Sequence, residues 1–424
     1  MISFSGLYRA STVRVKVRPN EPVPPVIKTT LLLSIIHFHE REQFYSNSPL
    51  LRPLGSFELY SRLSGTMGNV GFIEIDKRKI GTGYPVYVVA ELSANHGQKF
   101  EEAVKLIKAA KQAGADAVKL QTYTPDTMTL DSDQDCFRIK GTIWDDKTLY
   151  SLYAEAFTPW DWHPKLQSLA TDLGLDFFST PFDASSVQFL ESLNVPAYKI
   201  ASFETVDLPL LRRVAHTVKP VIMSTGMMTL AEIQEAVATL RGNGNKELVL
   251  LKCTSAYPAP PEEMNLRTLP DLADTFGAVV GISDHTLGTS VPVAAVALGA
   301  SVVEKHLTLS RSVPGPDATF SLEPEEFALM VTAIRQAEKV LGTVHYGPTP
   351  HEHSSVVFRR SLFVTEDMAA GETFTNDNVR SIRPGQGLHT RHLGDVIGQR
   401  ASRAIKKGTP LSWDLVSTNN EEIR

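Results

Sequence analysis

The chain is poor in the features that mark several protein classes. Its 424 residues hold only two cysteines, Cys136 and Cys253, far apart in sequence. That excludes a disulfide framework and points to a reducing compartment, so a cytoplasmic protein is expected. No apolar run approaches the roughly 20 residues that a membrane-spanning helix needs. The longest near the start, Leu31 to Phe38, is broken by Ser34 and His37. Positive charge is not in excess either. A formal net charge of −5 offers nothing to attract nucleic acid or an acidic membrane surface. Internal repeats and low-complexity tracts are also missing. What remains is the composition of an ordinary globular chain, long enough for two domains.

Residues 1–66 differ from the rest. Basic side chains outnumber acidic ones there, no hydrophobic period is sustained, and Pro19, Pro22, Pro24 and Pro25 break any early helix. A disordered tail, a targeting peptide and sequence upstream of the true start are the competing readings. The last is favoured, because Met67 immediately precedes the first strand-like stretch. The segment is thus expected to be a poorly structured extension.

From Val86 onward, short β-branched runs alternate with longer segments of helical spacing. The strand candidates are Val86–Ala90, Ala117–Gln121, Asp176–Ser179, Ala197–Ala201, Val221–Ser224, Leu248–Lys252, Ala278–Ile282 and Ser301–Glu304. Helical spacing follows each, as in 102–112, 230–240 and 324–341, and Gly114, Gly174 and Gly299 fall where helices should end. Eight alternating units predict an α/β protein with a (β/α)₈ barrel over 67–343; an open doubly wound sheet is the alternative. The rhythm changes after Gly342. Residues 344–357 read as a polar linker, and 358–424 as a small separate module with strand-like pieces at Ser361–Val364 and Ala401–Ala404.

In such a barrel the site forms at the C-terminal ends of the strands, and polar residues collect there in this sequence. Lys119 and Lys199 suit a phosphate or carboxylate, with hydroxyl donors from Thr180, Ser202 and Ser224. His285 and His306 lie on adjacent strands, so their imidazoles can converge on one divalent cation such as Mn²⁺, Co²⁺, Fe²⁺ or Zn²⁺. Glu91, Glu204 and Asp317 are the acids available for proton transfer or hydroxyl binding. Singly, any of these is a common bystander. Their recurrence at one end of successive strands is what points to a site.

Taken together, the strings AELSANH (90–96), AGADAVKLQTY (113–123), FFSTPF (177–182), PAYKIASFE (196–204), STGM (224–227), CTSAYP (253–258), GISDHT (281–286), EKHLT (304–308) and PGPDATFSLEP (314–324) resemble the sialic acid synthase family. SIRPGQG (381–387) and AIKKGTPL (404–411) look like the antifreeze-like (SAF) domain that closes these enzymes. The segments 122–130 and 142–163 look like the family's pseudaminic acid branch. Their aromatics would give apolar contact to a 6-deoxy sugar, although they could equally pack a loop over the barrel.

The resemblance implies a metal-assisted condensation of phosphoenolpyruvate with an open-chain acetamido sugar. Lys119, Thr180, Lys199, Ser202 and Ser224 match the family's phosphoenolpyruvate ligands. His285 and His306 match its metal ligands, usually for Mn²⁺, with Mg²⁺ or Co²⁺ as alternatives. Glu91 matches the acid that activates water or moves a proton, and Gln121, Tyr257, Glu204 and Asp317 match residues facing the sugar. Arg383, in the antifreeze-like module, matches an arginine that reaches the partner's site in a domain-swapped homodimer. The rivals are a Schiff-base aldolase working through Lys199 and a non-catalytic scaffold carrying a carbohydrate-binding module.

Overall fold

In a computed structural model, which describes residues 71–417 apart from Asp146, eight parallel strands close into a barrel. The predicted extension, 1–66, lies outside the described residues. An antiparallel hairpin comes first, β1 (Phe72–Ile75) and β2 (Arg78–Gly81). Its two-residue turn, Asp76-Lys77, has positive φ at both positions (42° and 68°). That is the conformation whose twist matches the two strands it joins.

The barrel strands are β3 (Tyr87–Glu91), β4 (Ala117–Thr122), β5 (Asp176–Pro181), β6 (Tyr198–Ile200), β7 (Val221–Ser224), β8 (Leu248–Cys253), β9 (Val279–Asp284) and β10 (Val302–His306). They pair in sequence order, and β10 closes the ring against β3. Every strand lies within two residues of its predicted position. These strands are buried on both faces, so they read as compact β-branched runs that sequence inspection finds easily.

One helix of the outer ring follows each strand: α1 (Phe100–Gln112), α2 (His163–Asp172), α3 (Ala184–Ser192), α4 (Leu208–Ala215), α5 (Leu230–Gly242), α6 (Thr268–Phe276), α7 (Ser290–Ala297) and α8 (Pro324–Leu341); two shorter helices, Pro125–Met128 and Leu149–Ala156, lie between β4 and α2. Local sequence sets their ends. At the start of α5, Thr229 accepts from the Glu232 N–H while the Glu232 carboxylate accepts from the Thr229 N–H, satisfying two otherwise orphaned donors. Gly114, which follows α1, has φ of 86°, a turn that side chains with a Cβ resist.

Strand alternation sorts the side chains into two cores. Val88, Ala90, Val118, Leu120, Val280, Ile282 and Val303 point outward into the layer beneath the helices. Tyr87, Val89, Ala117, Phe178, Ala197, Ile222, Val249, Leu251, Val279 and Val302 point inward. Ile73, Ile75 and Ile80 of the hairpin pack against that inner set, sealing the end where the strands begin. Fully burying each of these isoleucines is worth about 1.5–3 kcal/mol. The chemistry is therefore confined to the opposite mouth.

The predicted linker is partly structured: an exposed 3₁₀ stretch spans Pro350–Phe358. Beyond it, β11 (Ser361–Val364) pairs with β12 (Val379–Ile382), and β13 (Arg400–Ala401) with β14 (Val416–Ser417). These pieces enclose a separate small core that includes Leu362, Val364, Phe374, Val379 and Leu411. The strand read at 401–404 is shorter and begins one residue earlier, and β12 and β14 went unread because they are short and half exposed. Among the described residues, no helix is long and apolar enough to cross a membrane.

Candidate active site

The inward register continues upward from the apolar core into charged residues. It passes from Val89 to Glu91, from Ala117 to Lys119 and Gln121, from Phe178 to Thr180, and from Val302 to Glu304 and His306. Above the core opens a cavity of about 370 Å³, in the range of small-molecule sites. Lys119, Gln121, Lys199, Ser202, Glu204, Ser224, Tyr257, His285, His306 and Asp317 line it. Glu91 and Thr180 are buried immediately beside Lys119.

The floor is a four-charge cluster. Lys119 Nζ lies 2.5 Å from Glu91 Oε2 and 3.3 Å from Glu304 Oε2, and donates to Thr180 Oγ1 at 3.3 Å. Lys199 Nζ donates to Ser224 Oγ at 2.7 Å and to the Ile200 carbonyl at 3.0 Å, and stands 3.7 Å from Glu304 Oε1. Ser283 Oγ donates to Glu304 Oε1 at 2.9 Å. Burial pulls Lys119 down to about 8. Burial works to raise Glu304, but the two ammonium groups hold it below the ordinary glutamate range. Such a cluster is costly to desolvate and is weak evidence of a purely structural role.

Glu91 is held in place from two sides. Its Oε1 accepts from the Ser93 N–H at 2.9 Å and from Gln121 Nε2 at 3.3 Å. Ser93 has a φ of 39°, an uncommon conformation for a residue with a Cβ and one that collects at functional turns.

The two imidazoles stand with ring centroids 5.3 Å apart. His285 Nδ1 lies 3.1 Å from the Thr254 carbonyl. A carbonyl only accepts, so Nδ1 carries the hydrogen, and the neutral ring has its lone pair at Nε2. Burial works to lower this imidazole, but Cys253 and then the Thr254 carbonyl hold it above its usual value. His306 Nδ1 lies 3.2 Å from Ser93 Oγ. Burial, and then His285 beside it, hold the His306 imidazole well below its usual value, in the neutral form. Two imidazoles held through Nδ1, with no hydrogen-bond partner at Nε2 among the described residues, form in their neutral state a donor set that fits a divalent transition-metal ion, with water or substrate oxygens completing the shell. Among the described residues, no group of three or more His, Cys, Asp or Glu is placed to hold a metal.

Glu204 sits in the 3₁₀ turn Ser202–Glu204 after β6. Its buried Oε2 has no hydrogen-bond partner among the described residues. Burial raises this carboxyl to about 7, against the pull of Lys199. Burial likewise raises Asp317, opposed by the Ser93 hydroxyl and the Ala94 N–H. Tyr257 packs 4.6 Å from His285 and 5.6 Å from Trp144. Trp144 belongs to the long segment between β4 and α2, which supplies the cavity's apolar wall with Met128, Ile139, Leu149 and Leu152. Its indole N–H donates to the Pro316 carbonyl at 2.9 Å, tying that segment to the loop after β10.

Of the residues singled out in sequence, only Arg383 is absent from this gathering. It follows β12 in the C-terminal module and does not line the cavity. Glu304, Ser283 and Cys253 line the cavity without having been assigned a role from sequence. For the first two the signal was available: Glu304 precedes His306 by two residues, and Ser283 precedes His285 by two, so each shares its histidine's face.

Comparison with known proteins finds the relatives of this chain. Residues 106–346 match the NeuB family and residues 359–417 match the SAF domain. The pseudaminic acid synthase of Helicobacter pylori is 46% identical over 331 residues, covering 78% of this chain and 97% of that protein. The N,N'-diacetyllegionaminic acid synthase of Legionella pneumophila is 38% identical over 341 residues, covering 79% and 96%. Among solved structures, the N-acetylneuraminic acid synthetase of Leptospira borgpetersenii superposes with a TM-score of 0.60 at 30% identity, covering 67% of this chain and 95% of that one.

Proposed function

The chain belongs to the NeuB family, and we propose that it condenses phosphoenolpyruvate with 2,4-diacetamido-2,4,6-trideoxy-L-altrose to give pseudaminic acid and phosphate. The observation that carries this reading is the union, in one cavity, of a lysine- and hydroxyl-lined floor with two imidazoles free at Nε2. The identity to a pseudaminic acid synthase, higher than that to a legionaminic acid synthase, favours this sugar over its relatives. So does the apolar wall, which would meet a terminal methyl without stranding a hydroxyl.

Lys119 and Lys199, with Thr180, Ser202 and Ser224, would hold the phosphate and carboxylate of phosphoenolpyruvate. His285 and His306 would hold a divalent ion, Mn²⁺ first and Mg²⁺ or Co²⁺ as alternatives, whose contribution there is Lewis-acid polarisation of an aldehyde. Gln121, Tyr257 and Asp317 orient the open-chain sugar so that its C1 faces C3 of phosphoenolpyruvate. As the C3–C1 bond forms, Glu204, titrating near neutrality, protonates the aldehyde oxygen. C2 is left cationic, and water adds to it while Glu91 takes the water proton. The C2–O bond to phosphorus-bound oxygen then breaks. The C2 hydroxyl becomes a ketone, and its proton leaves with the phosphate.

We also propose that the working unit is a cytoplasmic, domain-swapped homodimer in which Arg383 of one copy reaches the sugar in the other. Two observations support it. Arg383 does not line its own chain's cavity, and Phe203, Met227 and Leu287, all on loops after barrel strands, are exposed.

The reaction is tested with phosphoenolpyruvate carrying ¹⁸O in its bridging oxygen. The label should appear in phosphate and be absent from the sugar acid. Lys199 is a poor Schiff-base nucleophile as placed, with Ser224, Ile200 and Glu304 accepting around its Nζ. Turnover of pyruvate in place of phosphoenolpyruvate, with inactivation by borohydride, would nevertheless replace this mechanism with that one.

A further inference from the structure

Two fully buried charges lie outside the cavity. On β9 the inward series is Val279, Gly281 and Ser283, and on β10 it is Val302, Glu304 and His306. The residues between them point outward: Val280, Ile282 and Val303 belong to the apolar layer under the helices. Asp284 and Lys305 continue that outward series and are direct partners across the β9–β10 ladder. Both side chains are completely shielded, and Lys305 Nζ lies 2.6 Å from Asp284 Oδ2.

Each partner also grips the same residue of the backbone. Asp284 Oδ1 accepts from the Thr286 N–H at 2.9 Å, and Lys305 Nζ donates to the Thr286 carbonyl. Both backbone polar groups of Thr286 are thereby fixed. His285 lies between Asp284 and Thr286, and His306 follows Lys305 directly. The ion pair thus adjoins both imidazoles from behind, through the strands that carry them.

Stability does not account for such a pair. Replacing a buried ion pair with apolar groups of similar volume is often neutral or stabilising, and the β9–β10 ladder already joins the strands. Burial holds the Lys305 ammonium below its usual value, and Asp284 offsets only part of that pull. What the pair adds is a fixed backbone on both sides of His285, tied to the strand of His306.

We infer that Asp284 and Lys305 are a positioning pair that clamps the backbone at Thr286 and so holds the His285 and His306 imidazoles at the one separation a shared divalent ion needs. The inference rests on the ion of the proposed function. It makes a second, outer layer of the barrel part of the metal centre, as partners behind first ligands are elsewhere.

The test separates folding from ion binding. Protein stripped with EDTA is titrated with MnCl₂, free Mn²⁺ is read by electron paramagnetic resonance, and thermal melts are recorded without metal. The double variant Asp284→Asn/Lys305→Met removes both charges and keeps an acceptor for the Thr286 N–H, so it should melt as cooperatively as the wild type. Its Mn²⁺ affinity should fall about 10- to 100-fold. A folded double variant with wild-type affinity would overturn the inference and leave the proposed function standing. A wild-type protein that binds no Mn²⁺ would overturn both. If the double variant does not fold, Asp284→Glu decides on the same readout, since it leaves no unpaired buried charge and shifts the carboxylate that grips the Thr286 N–H by one methylene.

Discussion

Lys119 has the most to lose from substitution, because two buried carboxylates, Glu91 and Glu304, face its ammonium group. Lys119→Met removes the proposed ligand for phosphoenolpyruvate and leaves those carboxylates without their common partner. Losing one member of a buried charge pair costs about 3–5 kcal/mol of stability, and losing a charged contact to the substrate should separately lower kcat/KM for phosphoenolpyruvate about 10- to 100-fold in steady-state assays. A different acid governs a pH effect at the sealed end of the barrel. Burial raises Asp176 from the ordinary 3.8 to about 6, against the Tyr87 hydroxyl and Arg78. Between those values the folded chain keeps a proton that the unfolded chain has released. Stability from this group is therefore present below the unfolded value and is lost as pH rises through the folded one. Melting temperatures recorded from pH 4 to 6.5 should decline less with rising pH in Asp176→Asn than in the wild type.

At the scale of elements, the barrel was legible because each strand is a short, doubly buried run followed by helical spacing. The polar residues at its ends were legible because strands alternate with period two. Three things were not. A strand-like stretch after Met67 is legible, but not its pairing as the β1–β2 hairpin, since its isoleucines find their partners only once the barrel has closed. Lys119, Glu91 and Glu304 come from three strands far apart in sequence, and no local pattern announces their pairing. The segment between β4 and α2 shows aromatics but not what they cover. The structure answers this with Trp144, whose indole is bonded to Pro316 and whose ring meets Tyr257 above the histidines. Trp144→Ala should lower kcat/KM for the trideoxy sugar about 10- to 100-fold while leaving KM for phosphoenolpyruvate unchanged. Reading apolar contacts of this kind is worth one to two orders of magnitude. Equal losses for N-acetylmannosamine would remove the wall from any part in sugar choice.

At the scale of the whole molecule, the barrel holds the lysines, the imidazoles and the apolar wall around one cavity, and the C-terminal module carries Arg383, which does not line it. If Arg383 acts across a homodimer, Lys119→Met and Arg383→Ala proteins, each poorly active alone, should regain activity when mixed under conditions that exchange subunits. A mixed dimer holds one site with both groups intact. No recovery after exchange shown by mass spectrometry would return Arg383 to a role within its own subunit. The central claim, that this cavity joins phosphoenolpyruvate to a trideoxy acetamido sugar with a divalent ion, is tested most directly by phosphate release. Purified protein with Mn²⁺ and phosphoenolpyruvate is offered 2,4-diacetamido-2,4,6-trideoxy-L-altrose, N-acetylmannosamine or no sugar, each with and without EDTA. The account predicts release with the trideoxy sugar alone and its loss with EDTA. Release with N-acetylmannosamine instead would contradict the choice of sugar, and release unaffected by EDTA would contradict the metal centre at His285 and His306.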